Sequence, residues 1–266
     1  MDPRAAATQK FVEQPPPGGL DIILRYASDP PLAIKTIDDA IGESLPAEDA
    51  RIVELGFGSG WLVQELLGRF PSARLCALDI APSFIHSARR TMGGSVSIVR
   101  GDMELLPFMA GSFDVVTTNW TLYFMRDLDG ALAGIRRCLR PGGRLVSATV
   151  APDHMTEFAA LAAECLHVAT GRDPEPDIAA RFNTSTGMIY MQRAFGHVEL
   201  REWGGELLLP DVDSALALLP NWGPQELSKD ERRSLESEFA DRVAAILRRK
   251  RQWRITRHDG AFVAFA

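Results

Sequence analysis

An acidic residue and three alternate glycines lie within one short stretch of the chain and could bind a nucleotide-like ligand. Glu54 precedes Gly56, Gly58 and Gly60 within the segment Arg51–Trp61, RIVELGFGSGW. Glycine permits a sharp turn and lets a ligand approach the backbone without a Cβ in the way. The segment predicts a buried strand, a glycine turn and the start of a helix, whose free N–H groups would face a ligand.

A second acid stands at the end of the next predicted strand, Arg74–Asp79. Asp79 comes 19 residues after Gly60, and a carboxylate there can accept hydrogen bonds from both hydroxyls of a ribose. It could instead cap the following turn, Ala81-Pro82-Ser83; the nearby glycine corner favours the ribose interpretation. The spacing is not the dinucleotide fingerprint G-x-G-x-x-G, because Trp61 occupies the position of the third glycine.

Composition narrows the class of protein. The chain has 266 residues, 46% of them hydrophobic and 24% charged, as is typical of a globular protein. A formal net charge of −6 argues against nucleic acid as the main partner. The three cysteines are widely spaced in apolar surroundings, which favours core positions in a reducing compartment over metal ligands. With neither a signal peptide pattern nor a membrane-spanning apolar run, we expect a soluble, cytoplasmic protein.

The elements that must position these residues alternate between strand and helix along residues 51–150, which predicts a parallel sheet. The fold class we predict is α/β, with a Rossmann-like, seven-stranded, mostly parallel sheet flanked by helices and a helical cap inserted after the fifth strand. The strands after the first are predicted at Arg74–Asp79, Val96–Arg100, Phe113–Thr118, Arg144–Val150, His197–Trp203 and Ala261–Ala266.

The remaining segments surround this sheet. Residues 1–45 are predicted to be a proline-rich lead-in followed by two helices broken at Pro30-Pro31, and residues 46–266 to be the main domain. Within that domain, residues 151–196 form the predicted cap, beginning with a helix over Asp153–Thr170. The spacing of Ser228 and Glu231 predicts a capping box at the start of a long helix.

Five ordered blocks carry a resemblance to a known family. The chain resembles the class I S-adenosylmethionine-dependent methyltransferases, in particular the branch acting on small molecules, over about residues 50–150. The blocks are VELGFGSG at 53–60, LDIAPSFI at 78–85, GDMELLPF at 101–108, FDVVTTNWTLYF at 113–124 and LRPGGRLV at 139–146.

The resemblance implies S-adenosylmethionine as cofactor and assigns residues to it. The glycine corner would hold the methionine part, with Glu54 near the ammonium, and Asp79 would bind the ribose hydroxyls. Asp102 would accept from the adenine amine, although Asp102 also fits a helix N-cap. The residues that would bind the cofactor are Glu54, Gly56, Gly58, Gly60, Asp79, Ile80, Asp102, Met103, Asn119 and Trp120.

The acceptor is predicted to be a small, largely apolar molecule, bound by Trp120, Tyr123, Phe124 and Tyr190. Asn119-Trp120-Thr121-Leu122 departs from the Asn/Asp-Pro-Pro-Tyr motif of enzymes that methylate amide or exocyclic amine nitrogens, which counts against DNA, RNA and protein glutamine. Aromatic residues at helical spacing also occur in ordinary cores, and the same segments could serve only packing.

Methyl transfer from a sulfonium requires alignment more than a fixed catalytic set, so no motif identifies a base. Among the histidines His154, after the fifth strand, is the best candidate, and its position is more typical of a surface or helix-cap histidine. His258 is predicted to lie in an exposed turn at Arg257–Gly260. Two alternatives remain: a protein that binds the same cofactor without methyl transfer, and an NAD-dependent oxidoreductase, which Trp61 disfavours.

Overall fold

The computed structural model describes residues 19–28, 30–43, 49–222 and 227–266. The predicted proline-rich lead-in covers residues 1–19; residues 1–18 lie outside this part of the chain, and Gly19 begins the first helix described. The helices are α1 Gly19–Tyr26, α2 Pro30–Glu43, α3 Trp61–Arg69, α4 Pro82–Thr91, α5 Leu128–Cys138, α6 Thr156–Thr170, α7 Thr186–Phe195, α8 Val212–Leu216 and α9 Lys229–Arg249. The strands are β1 Arg51–Leu55, β2 Arg74–Asp79, β3 Val96–Arg100, β4 Phe113–Asn119, β5 Leu139–Val150, β6 Val198–Leu209 and β7 Trp253–Phe265.

All strands join one seven-stranded sheet in the order β3-β2-β1-β4-β5-β7-β6. Strands β1 to β5 run parallel, and β7 is antiparallel to both of its neighbours. The predicted α/β, mostly parallel, seven-stranded sheet is therefore confirmed. Strand β4 is buried along its whole length, as a central strand covered by helices on both faces must be.

Helices cover the two faces of the sheet and create two apolar layers. Residues of α2, α3 and α4 pack against one face, and residues of α5 and α7 pack against the other. A third apolar cluster joins α6 and α9 to the extended ends of β6 and β7. Among the described residues, no helix is long and apolar enough to cross a membrane.

The capping box prediction is confirmed. The Ser228 side chain accepts from Glu231 N–H, the Glu231 carboxylate accepts from Ser228 N–H, and α9 begins at the next residue. Its buried residues, Leu235, Phe239 and Val243, recur at every fourth position, which is the stripe that an amphipathic helix presents to a core.

Some predicted boundaries were wrong. The helix predicted from Asp153 begins at Thr156, and β5 begins at Leu139 rather than at Arg144. The largest error concerns β7, which begins at Trp253 rather than at Ala261, so His258 lies in a strand and not in an exposed turn. Charged residues such as Arg257 suggested a turn, whereas they pair along β6.

Candidate functional site

The glycine corner joins β1 to α3 at the edge of the sheet where the parallel strands end. Gly56, Gly58 and Gly60 have φ angles of 71°, 55° and 82°, a region that glycine occupies without the steric cost of a Cβ. Gly56 N–H donates to the Leu78 carbonyl at 2.7 Å, which ties the corner to β2. Three of the five residues from Gly56 to Gly60 thus have a left-handed backbone conformation.

Asp79 holds this corner from β2. Its Oδ2 accepts from Gly58 N–H at 2.9 Å and its Oδ1 accepts from Ala81 N–H at 2.8 Å. The turn-capping interaction is therefore real, and it leaves each oxygen a further lone pair for a ligand hydroxyl. Burial raises the pKa of Asp79, and the backbone N–H groups act against that rise.

Glu54 and Asn119 meet between β1 and β4. Asn119 Nδ2 donates to both carboxylate oxygens of Glu54, at 3.1 and 3.2 Å, and the Thr117 hydroxyl donates to the same carboxylate. Asn119 Oδ1 in turn accepts from Ala148 N–H at 3.2 Å, which fixes the amide between three strands. Burial raises the pKa of Glu54 to about 7, against the lowering effect of the two donors.

The residues predicted to contact the nucleoside line the neighbouring strand ends. Asp102 Oδ1 accepts from Glu104 N–H at 2.9 Å, so Asp102 caps a short 3-10 turn. Met103 is buried in that turn, and the Ile80 carbonyl accepts from Arg100 Nε at 3.3 Å. Gly101 N–H donates to the Asp79 carbonyl at 3.0 Å, which places the 3-10 turn beside Asp79.

The structure thus brings the predicted cofactor residues to one sheet edge, where β1, β2, β3 and β4 end. The strand order reverses between β1 and β4, and open α/β sheets bind their ligands at such a switch point. The assignment of each residue to a part of the cofactor stays a prediction.

Trp120 turns the chain away from the end of β4. Its φ is 51°, a left-handed conformation that costs a bulky residue free energy and is common at functional sites. Its Nε1–H donates to Asp259 Oδ1 at 3.2 Å, and its ring lies 6.4 Å from that of Trp61. The indole therefore bridges the glycine corner and β7.

Tyr123 and Phe124 follow in a 3-10 turn, with ring centroids 4.7 Å apart. Burial raises the pKa of Tyr123, and the charges of Asp177 and Asp259 add to that rise. The influence of Asp259 indicates that Tyr123 lies near the same carboxylate that Trp120 contacts.

Tyr190 lies on α7 and packs against the same apolar cluster as Tyr123 and Phe124. The guanidinium of Arg193 sits 5.4 Å from the centre of the Tyr190 ring, and Arg193 pairs with Asp129 of α5 at 2.8 Å. Tyr190 therefore belongs to the contact between α5 and α7 on one face of the sheet.

His154 is buried in the turn between β5 and α6. Its Nδ1 lies 2.9 Å from the His258 carbonyl, 3.3 Å from His258 N–H and 3.5 Å from Asp259 Oδ1. The shorter contact with a carbonyl favours a proton on Nδ1, which leaves Nε2 with a lone pair. Burial lowers the pKa of His154, against the raising effect of the Asp259 charge, and so favours the neutral ring.

Sequence reasoning missed Arg257 and Asp259, which are 7% and 1% exposed on β7. Arg257 Nη2 donates to Asp259 Oδ2 at 2.9 Å. The available signal was the alternation of Trp253, Ile255, Arg257 and Asp259, which has the period of a strand. It was overlooked because charged residues near a glycine are typical of turns.

Comparisons with known proteins agree with this geometry. Residues 53–147 match a family model described as a methyltransferase domain. The chain is 36% identical over 124 residues to a malonyl-[acyl-carrier protein] O-methyltransferase of Hahella chejuensis, which covers 44% of each chain. It is 31% identical over 224 residues to the biotin biosynthesis bifunctional protein BioCD of Bordetella avium, covering 83% of this chain and 46% of that protein.

The aligned region thus spans less than half of the length of these two relatives. The fold itself recurs in the crystal structure of a proposed methyltransferase from Bacillus halodurans C-125, with a TM-score of 0.58 and 13% identity, covering 87% of this chain and 98% of that one.

Proposed function

The chain carries a methyltransferase domain of the class I S-adenosylmethionine-dependent family, and we propose that it transfers a methyl group from S-adenosylmethionine to a small-molecule acceptor. The observation that carries the proposal is the strand-end carboxylate of Asp79, fixed by Gly58 and Ala81 with a lone pair free on each oxygen. Two adjacent acceptor oxygens match the two adjacent hydroxyl donors of a ribose.

The other residues at the sheet edge fit the same cofactor. Glu54 carries a buried carboxylate beside the glycine corner, which suits the cofactor's ammonium group. Asp102 retains acceptor capacity for an exocyclic amine, and Met103 offers an apolar surface to a purine. The fit supports S-adenosylmethionine over NAD, whose fingerprint requires a glycine where Trp61 stands.

When bound, S-adenosylmethionine supplies a methyl group on a positively charged sulfur, which a nucleophile displaces in line. The protein's task is to bind and align the acceptor and to exclude water. We assign to Asn119 and Trp120 the boundary between cofactor and acceptor, because Asn119 ends the central strand β4 and Trp120 follows it. His154, neutral and with a lone pair on Nε2, is the candidate that would receive a proton from a hydroxyl acceptor.

We further propose that the acceptor is small and largely apolar. Trp120, Tyr123 and Phe124 follow the strand end, and we propose residues 151–196 as the cap above them. Relatives are named for methyl transfer to malonyl-[acyl-carrier protein], which suggests an oxygen nucleophile as the class of acceptor.

Calorimetry with S-adenosylhomocysteine and NAD, followed by turnover assays, tests the proposal. We expect S-adenosylhomocysteine to bind and NAD not to bind. Release of S-adenosylhomocysteine with malonyl-[acyl-carrier protein] or a metabolite fraction, together with a mass increase of one methyl group in the acceptor, would establish transfer. Binding without turnover across the panel favours the alternative of a cofactor-binding protein, and absence of binding contradicts the proposal.

A further inference from the structure

Strand β7 extends past the edge of the sheet where the cofactor residues lie. Its Asp259 is level with Val150, the last residue of β5, so residues 253–258 continue beyond β5 and pair with β6 alone. Arg257 and Asp259 are two residues apart and therefore point to the same face. Ala261 and Val263, next in this alternation, pack in the layer that also contains Trp61, Trp120 and Trp203.

Two buried donors in this region have no hydrogen-bond partner in the described part of the chain. They are Arg257 Nε and Trp203 Nε1, and both side chains are 7% exposed. Trp203 of β6 is the register partner of Asp259, and side chains directly opposite on antiparallel strands are neighbours. A buried donor left without an acceptor costs free energy, so natural proteins rarely leave two together without a reason.

The cluster is connected to the end of β4 through Asp259. Its Oδ1 accepts from Trp120 Nε1–H at 3.2 Å, while its Oδ2 accepts from Arg257 Nη2–H at 2.9 Å. Asp259 therefore links Arg257 to Trp120, the residue that directly follows Asn119 at the end of β4. A molecule held by these donors would lie in the same apolar layer as Trp61 and Trp120, beside the proposed cofactor site.

Ser28, which follows α1, is hydrogen-bonded to the same part of β6. Ser28 N–H donates to the Glu206 carbonyl at 2.7 Å, and Glu206 N–H donates to Ser28 Oγ at 2.9 Å. Gly205, beside Glu206, is the register partner of Arg257. Ser28 is thus held against β6 one residue from the register partner of Arg257.

Resting on the proposed function, we propose that Arg257 and Trp203 bind the methyl acceptor through an uncharged oxygen, a carbonyl or a hydroxyl, that accepts from Arg257 Nε and Trp203 Nε1. The charge of Arg257 is already neutralised by Asp259. A carboxylate would therefore be buried without a further counter-charge, whereas a neutral oxygen satisfies both donors without one. The indoles of Trp61, Trp120 and Trp203 give the site aromatic walls, which suit a flat apolar body.

The test measures binding of acetophenone and benzoate to the protein saturated with S-adenosylhomocysteine. The two probes share a phenyl ring and differ in their polar group, which is a neutral methyl ketone in acetophenone and a carboxylate in benzoate. We expect acetophenone to bind and benzoate to bind at least 10-fold more weakly.

Trp203→Phe removes the indole N–H without breaking an existing hydrogen bond, so the melting temperature should stay the same. The affinity for acetophenone should fall about 3- to 10-fold. Arg257→Lys keeps the positive charge beside Asp259 and removes Nε, and we expect a loss of about 10-fold.

Trp253→Phe is the matched control, since Trp253 is a buried tryptophan of β7 whose ring stacks on Phe158 outside this layer. It should leave acetophenone affinity unchanged. The inference is overturned by equal or tighter benzoate binding, by no acetophenone binding, or by unchanged affinity in Trp203→Phe and Arg257→Lys. Binding of S-adenosylhomocysteine is recorded first, and its absence would contradict the proposed function instead.

Discussion

At the scale of single residues, the site contains buried carboxylates whose oxygens hold the surrounding chain and, in our proposal, also bind the ligand. Asp79 fixes the glycine corner through two backbone N–H groups and keeps lone pairs for a ligand. Glu54 is held by Thr117 and Asn119 on the adjacent strand. Substitution of such a carboxylate can change both ligand binding and folding, so each experiment on it must measure the two separately.

The first prediction concerns Asp79. Asp79→Ala removes a charged hydrogen-bond partner from the ligand, which should weaken S-adenosylhomocysteine binding by about 1.5–3 kcal/mol, roughly 10- to 150-fold. Asp129→Ala, an exposed acid on α5, is the control and should bind normally. Calorimetry on variants shown to be folded by circular dichroism makes the comparison, and an unchanged dissociation constant in Asp79→Ala rules out the assignment.

The second prediction concerns the titration of Glu54, whose pKa is raised to about 7 from 4.5. In this direction the folded state holds a proton that the unfolded state has lost, so stability falls as pH rises from about 4.5 through about 7. The loss is of the order of 3 kcal/mol at most.

Urea midpoints of the ligand-free protein between pH 5 and pH 8 measure this effect. Glu54→Gln does not titrate, so its stability should fall less over that interval than that of the unchanged protein. The two proteins are compared by how steeply the urea midpoint changes with pH, because the amide of Glu54→Gln also alters the contact with Asn119 and so shifts the midpoint itself. An equal pH dependence in the two proteins would show that Glu54 does not titrate between pH 5 and pH 8.

At the scale of elements, some turns and helix ends need backbone angles that glycine adopts with the least strain. Gly60 precedes α3 at a φ of 82°, and a Cβ there would lie 2.8 Å from Met92 Cε. Gly68 lies within the same helix and has open space around it. The same substitution at these two positions should therefore have opposite effects.

We expect Gly60→Ala to lower the free energy of unfolding by about 1–2 kcal/mol, from the left-handed backbone alone. Gly68→Ala should raise it by about 0.5–1 kcal/mol, because alanine favours an exposed helix position over glycine. Denaturant unfolding measures both. A Gly60→Ala protein as stable as the original would mean that the corner relaxes to a conformation different from the one described.

The start of α9 gives a fourth prediction. Ser228→Ala removes the side chain that accepts from Glu231 N–H and should cost about 1 kcal/mol of stability. Ser237→Ala, at an exposed interior position of the same helix, should be neutral or slightly stabilising. Equal effects of the two substitutions on the urea midpoint would indicate that the capping box contributes nothing to the stability of the protein.

At the scale of the whole molecule, ligand binding and folding are linked. A ligand bound only by the folded state at 100 times its dissociation constant adds about 2.7 kcal/mol. For a chain of this size that corresponds to an increase in melting temperature of about 5–10 °C. We expect this increase with S-adenosylhomocysteine and none with NAD in a thermal shift assay, and an equal increase with NAD would contradict the cofactor assignment.

Sequence reasoning predicted the half of the molecule that contains the cofactor residues more completely than the other half. Gly56, Gly58, Gly60 and Asp79 lie within 24 residues, so their spacing reports their geometry directly. Asp259 and Trp120 are 139 positions apart, and only the tertiary fold shows that each supplies the other's hydrogen bond. A buried charged residue such as Asp259 resembles a turn residue when its partners are distant in sequence.

The position of β7 has a consequence for the order in which the protein folds. β7 follows β6 in the chain but lies between β5 and β6 in the sheet, so β6 joins the sheet only once β7 has inserted. Its pairing with β5 spans more than a hundred residues, and such closures are slow. Strands β1 to β5 could therefore assemble first, giving an intermediate with the glycine corner but without Arg257 and Asp259. During refolding, affinity for S-adenosylhomocysteine should accordingly be recovered before affinity for acetophenone.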